Sequence, residues 1–192
     1  MREIISMIVV LSVITAVSGF SLSYLKISTA PLIEEQVLTY VQAPALKSIF
    51  PESSNDPIAE RQTFDMDGER VTVFPVRKEG KLTALALEAF GPGYGGDIGV
   101  MVGFDVQNDV LEGIGITTMK ETPGLGTRIA ETEFTRNFIG EDPSVVQLSA
   151  KGGNVDAVSG ATVSSAGTVI AVQRANAVYT RMKPVFLQTF QS

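Results

Sequence analysis

Residues 156–165 read DAVSGATVSS, from Asp156 to Ser165. Four small hydroxyl side chains (Ser159, Thr162, Ser164 and Ser165) crowd around Gly160 and Ala161. They stand just ahead of a helical pattern over Ser164–Met182, in which Ala171, Ala175, Val178 and Met182 share a face with Val172 and Tyr179. Thr162 therefore falls at a helix start, where unpaired backbone N–H groups and the positive end of the dipole favour an anion. Gly160 and Ala161 add no bulk, so a large ligand can approach the main chain. Taken alone, S-G-A-T reads as an ordinary helix cap with surplus serines.

The rest of the chain narrows what such a site could do. It has 192 residues, enough for one medium domain and an appendage, and a formal net charge of −6. A pI near 4.7 argues against nucleic-acid binding, which needs a basic face. No cysteine is present, which removes disulfides, iron–sulfur ligation and thiolate catalysis. No histidine is present either, which removes the usual zinc and haem ligands and the commonest general base. Nucleophile–base pairs of the serine or thiol type are thus excluded, no catalytic residue and no metal site is expected, and redox or group-transfer chemistry must come from a bound organic cofactor. Asp65, Asp67 and Gly68 (DMDGE) lack the spacing and final glutamate of a calcium loop and read as a solvated turn.

The mean hydropathy of +0.21 is high for a soluble domain and directs attention to the amino terminus. Ile4–Leu25 is uncharged, bounded by Arg2–Glu3 and Lys26. At about 22 residues and ~1.5 Å rise per residue it can cross a hydrocarbon core of roughly 30 Å. Ala30 followed by Pro31 suits signal cleavage poorly, so residues 1–27 are expected to be a retained transmembrane anchor. The weak charge bias puts the amino terminus inside and residues 28–192 on the extracytoplasmic side.

Past the anchor, Ser28 or Thr29 is expected to cap a helix with Pro31 in its first turn, running toward Tyr40–Val41. Pro44 should kink or end it, with another turn over Ala45–Phe50. Strand patterns cover Glu69–Val76, Lys81–Phe90, Gly99–Val106 and Val110–Thr118. Glu79-Gly80 and Gln107-Asn108-Asp109 join two pairs of them as hairpins, which implies antiparallel neighbours. Glu131–Ile139 reads as a short helix and Val145–Ser149 as a further strand. The fold class is α+β: one amino-terminal transmembrane helix, then an antiparallel sheet flanked by helices.

Two more stretches join the hydroxyl cluster. Gly91–Gly96 (GPGYGG) sits between two strands, its glycines suited to a flat ligand lying close to the main chain. Lys120–Gly126 (KETPGLG) contains a Pro-Gly turn, and Gly126 can precede a helix. FGPGYGG, then KETPGLG, then D-x-x-S-G-A-T before a carboxyl-terminal helix, all behind one span, resembles the FMN-binding subunit family. That family comprises the G subunit of the Rnf electron-transport complex and the C subunit of the sodium-pumping NADH:quinone reductase. The resemblance covers essentially the whole chain.

The resemblance implies that FMN is esterified through its phosphate to Thr162, with Asp156, Ser159, Gly160 and Ala161 as the recognition motif. Ser164 and Ser165 are rival acceptors on chemistry alone. It further implies a separate flavin transferase that uses FAD and Mg²⁺. Glu121, Thr122, Gly124, Leu125 and Gly126 would lie along the isoalloxazine or ribityl chain, with Tyr94 and Gly95 lining the same pocket. The family often carries a histidine at the position of Met119, so no histidine-mediated proton transfer is expected here. The compact length resembles the Rnf member more than the quinone-reductase member. The chain is then expected to be a redox subunit, without independent turnover, in a cytoplasmic (inner) membrane of a bacterium or archaeon. Its partners would be the other membrane subunits of an ion-translocating ferredoxin:NAD⁺ oxidoreductase, and lipid. Two alternatives stay open: a stand-alone membrane-tethered flavoprotein, and an anchored binding module with no redox role.

Overall fold

The computed structural model describes residues 2–66 and 68–190; Asp67 of the DMDGE stretch lies outside the described residues. The chain divides into two compact units, one up to Tyr40 and the other from Val41 onward. The first is dominated by α1 (Arg2–Val37), none of whose residues is buried. It is long and apolar enough to cross a membrane.

Helix α1 corrects the expected cap at Ser28 or Thr29. The helix does not break there: the Thr29 hydroxyl donates to the Leu25 carbonyl at 2.8 Å, as hydroxyls do inside a continuous helix. Pro31 is likewise internal. The break comes at Leu38–Gln42, a π turn, followed by α2 (Ala43–Ile49) with Pro44 in its first turn. A proline lacks an N–H and clashes with the carbonyl four residues back, so a widened turn just before Pro44 relieves both problems.

The second unit is built on one antiparallel sheet in the order β1–β5, each strand paired with its sequence neighbours. Strands β2 (Glu69–Lys78), β3 (Lys81–Pro92), β4 (Asp97–Asp105) and β5 (Leu111–Thr118) fall on the four strand patterns read from sequence. Glu79 and Gly80 both take positive φ (53° and 78°), the combination a two-residue hairpin requires. One strand goes beyond the sequence pattern: β1 (Gln62–Met66) pairs with β2 and closes its hairpin through the DMDGE turn, where the Asp65 carboxylate accepts the Gly68 N–H.

One other expectation fails and one is refined. Val145–Ser149 is not a strand; Leu148 makes a single bridge to Val155 and the segment is otherwise irregular. Glu131–Ile139 holds the expected short helix, α3 (Thr132–Thr135) running into a 3₁₀ turn at Arg136–Phe138. Phe134 and Phe138 meet edge to face in the core, so packing rather than helix length holds the segment.

The last helix, α4, runs Thr162–Phe190, well beyond Met182 and through Pro184. A proline in a helix interior costs ~3 kcal/mol. Burying Phe186 and Phe190 beyond it returns about 1.5–3 kcal/mol each, which offsets that cost. Both rings pack on Phe64 of β1, and Arg77 donates to the Phe190 carbonyl at 2.7 Å.

Helix α4 packs on one sheet face, its Val169, Ala171, Val172 and Ala175 buried with Leu85, Leu87, Val100 and Val102. Its approach is set by Gly91 on β3 and Gly167 on α4. A Cβ on Gly91 would overlap the Gly167 carbonyl oxygen, and one on Gly167 would meet the Pro92 carbonyl. At the far end, Tyr179 stacks on Phe104 with ring centroids 4.3 Å apart. Its hydroxyl donates to Asp109 at 2.8 Å, and Lys183 pairs with the same carboxylate.

This packing can be tested at both ends of the helix. Gly91→Ala should destabilise the protein by ~1–3 kcal/mol, because backbone faces backbone and no side chain can yield; denaturant unfolding measures it. The second test concerns the Asp109 latch. The hydrogen bond from Lys183 holds the Asp109 carboxyl below its ordinary value, with Tyr179 adding to the effect and partial burial opposing it. Its folded pKa therefore lies below the unfolded value of about 3.9, so its stabilisation is complete above that pH and is lost as pH falls through the lower folded value. Asp109→Asn should melt below the wild type at neutral pH, and the two melting temperatures should converge under acid.

Candidate functional site

The first turn of α4 sorts the four hydroxyls by what they already do. Ser165 is fully buried: its Oγ donates to the Ala161 carbonyl and accepts the Val158 N–H, both at 3.0 Å. Ser164 is buried, its Oγ donating to Glu121 Oε2 at 2.5 Å. Thr162 is exposed at the first helical position, and Ser159 is exposed one turn earlier. The chain thus commits two of its hydroxyls to structure and leaves two open. Sequence reading could not separate them, because the distinction depends on which way the first helical turn faces.

Glu121 reaches the cleft and also ties the chain together there. It is buried, and both carboxylate oxygens are engaged by the chain itself. Oε1 accepts the backbone N–H groups of Tyr94 and Gly95 at 2.9 and 3.0 Å, while Oε2 accepts the Ser164 hydroxyl. The GPGYGG glycines have a related explanation. A Cβ on Gly95 would overlap the Lys120 carbonyl oxygen, so this glycine admits the neighbouring chain and not only a ligand. Gly93 closes the loop by donating to the Gly96 carbonyl at 2.9 Å.

KETPGLG forms a compact turn against the same region. Leu125 and Thr127 both donate backbone N–H groups to the Thr122 carbonyl, and Gly124 donates to Thr127 Oγ1 at 2.9 Å. A 3₁₀ turn then begins at Gly126, as the sequence suggested. Between the two loops and α4 lies a cleft of about 370 Å³, lined by Tyr94, Thr122, Leu125, Gly160, Thr162 and Val163 among others. Three apolar side chains on it stay in solvent: Tyr94 is 77% exposed, Val163 52% and Leu125 43%. Gly160 is required there, with φ of +80° and a Cβ position 2.8 Å from Leu125 Cδ1.

Glu121, Gly126 and Ala161 also reach this cleft, so most of the expected site residues converge. Asp156 and Ser159 do not. They line a neighbouring cavity of about 320 Å³ with Arg128, Phe134 and Arg136. Gly95 and Gly124 shape the two loops without lining the cleft. Met119 packs, partly buried, against the hydrophobic core.

The arrangement suits a flat aromatic group carrying an anionic tail. The exposed apolar side chains offer contact area to a ring system, and the start of α4 offers a positive dipole end beside an open hydroxyl. The cleft residues therefore fit a flavin phosphate by chemistry.

A family model described as the FMN-binding domain matches residues 93–177, which span the glycine loop, the KETPGLG turn and the start of α4. The G subunit of the ion-translocating oxidoreductase complex of Methanosarcina acetivorans is 30% identical over 178 residues, 91% of this chain and 93% of that protein. The G subunit of the same complex from Shewanella oneidensis is 38% identical over 104 residues, 50% of this chain and 49% of that one. The crystal structure of the C subunit of the Na(+)-translocating NADH-quinone reductase from Parabacteroides distasonis superposes with a TM-score of 0.53 at 22% identity, covering 67% of this chain and 70% of that one, which shows a shared fold. The near-full-length relative, together with a domain match lying over the whole cleft, makes this chain a member of the FMN-binding family that includes the G subunits of ion-translocating oxidoreductase complexes.

Proposed function

We propose that this chain is the electron-carrying flavoprotein subunit of a membrane-bound, ion-translocating ferredoxin:NAD⁺ oxidoreductase complex, with FMN esterified through its phosphate to Thr162. The observation that carries the attachment site is the sorting of hydroxyls. Thr162 is open at the first position of α4 and on the cleft, while Ser164 and Ser165 are buried and hydrogen-bonded. Ser159, also open, faces the neighbouring cavity.

In this reading a flavin transferase that uses FAD and Mg²⁺ joins the Thr162 oxygen to the flavin-side phosphorus of FAD: the phosphoanhydride bond breaks, AMP leaves and the threonine proton is released. The start of α4 stabilises the single negative charge left on the phosphodiester. Tyr94, Leu125 and Val163 shield the faces of the ring system from water, and Gly160 keeps the approach clear. When bound, FMN supplies one- and two-electron transfer, and the protein supplies position and electrostatics. Asp156 and Ser159, on the far side of the motif, serve recognition during attachment rather than contact with the ring. Residues 1–27 anchor the chain in lipid with the amino terminus inside, and residues 28–192 work on the extracytoplasmic side against the other subunits. The near-full-length match to a G subunit supports this assignment over the quinone-reductase branch, for which the likeness extends to fold alone.

Expression with an active flavin transferase, followed by a denaturing gel, tests the attachment. The wild-type band should fluoresce as flavin, Thr162→Ala should be dark, and Ser165→Ala should stay bright. Fluorescence retained in Thr162→Ala would overturn the assignment.

A further inference from the structure

Resting on the flavin reading above, we infer that Glu121 is a positioning residue: its carboxylate ties the loop that carries Tyr94 to the helical turn that carries Thr162, and so holds Tyr94 as one wall of the cleft. The Tyr94 ring is 77% exposed, so side-chain packing does little to place it. Its position is set through its backbone. Two consecutive N–H groups, of Tyr94 and Gly95, converge on Glu121 Oε1, a concave pair of donors of the kind that holds an anion. The other oxygen takes the hydroxyl of Ser164, two residues after Thr162. One buried side chain therefore joins segments that lie 27 and 43 residues away from it in sequence.

The side chain has little room for another arrangement. Ideal Cβ positions on Gly93 and Gly126 would both press on it, the latter 2.8 Å from Glu121 Cβ and Oε2. Removing the carboxylate takes the partner from two backbone donors and from one buried hydroxyl. Glutamine can keep all three contacts without charge: its amide oxygen accepts both N–H groups and its amide nitrogen donates to Ser164 Oγ. Connection and charge can therefore be separated by substitution.

The test uses the full-length chain in detergent, first without flavin and then with flavin attached. Without flavin, Glu121→Ala should raise amide hydrogen exchange at Tyr94 and Gly95 about tenfold or more, whereas Glu121→Gln should stay near wild type. Ser164→Ala, a milder cut that spares the loop contacts, should leave those two amides protected. With flavin attached, a tyrosine held against the ring quenches its emission, so Glu121→Ala and Tyr94→Leu should each brighten it several-fold over wild type. The double variant should be no brighter than either single one, and Glu121→Gln should remain quenched. Unchanged amide protection in Glu121→Ala, additive effects in the double variant, or Glu121→Gln behaving like Glu121→Ala would each overturn the inference. A wild-type chain that carries no flavin would refute the functional reading, and the amide measurements would still decide whether the tie exists.

Discussion

The cleft exists because α4 lies close enough to the sheet for backbone to meet backbone. Gly91 and Gly167 have no side chains at the crossing, so the helix settles on β3. From that one constraint the rest follows. Ser164 comes within reach of Glu121, the GPGYGG loop is drawn in behind it, and KETPGLG folds against Gly160. Bulk at the crossing would lift the helix and open all of these contacts at once.

The chemistry at the helix start reflects a division of labour among similar side chains. Two serines close the first turn and tie it to the domain, while the threonine beside them is left exposed. A phosphate at this point meets a fixed positive dipole end, and an apolar rim stands next to it. Under the proposed attachment at Thr162, the distance and orientation of the flavin to donor and acceptor would be set by the fold and not by the tether.

Much of the architecture is legible in the amino-acid sequence because its signals are local. The strand-like runs of β2–β5, the Glu79-Gly80 turn and the apolar face of α4 all report on residues within a few positions of one another. The failures share the opposite cause. β1 carries too short a pattern to stand out, and it is held by Phe186 and Phe190 from the far end of the chain. The same contacts carry α4 through Pro184, which local rules read as a stop. Val145–Ser149 has strand-like residues but no partner strand beside it. At the site, the motifs locate the cleft, but the hydrogen bonds of Glu121 to distant backbone amides and to Ser164 leave no mark in sequence. Asp156 and Ser159 belong to the motif yet face another cavity, a consequence of the turn at Gly160 that spacing alone does not reveal.

One oxygen atom carries the assignment, and site-localised mass spectrometry addresses it directly. Trypsin should release residues 152–174 from natively isolated protein as one peptide, bounded by Lys151 and Arg174 and holding every rival hydroxyl of the motif. Fragmentation that preserves the phosphoester should put the mass of FMN on Thr162. An unmodified peptide, or FMN on Ser159, Ser164 or Ser165, would contradict the account.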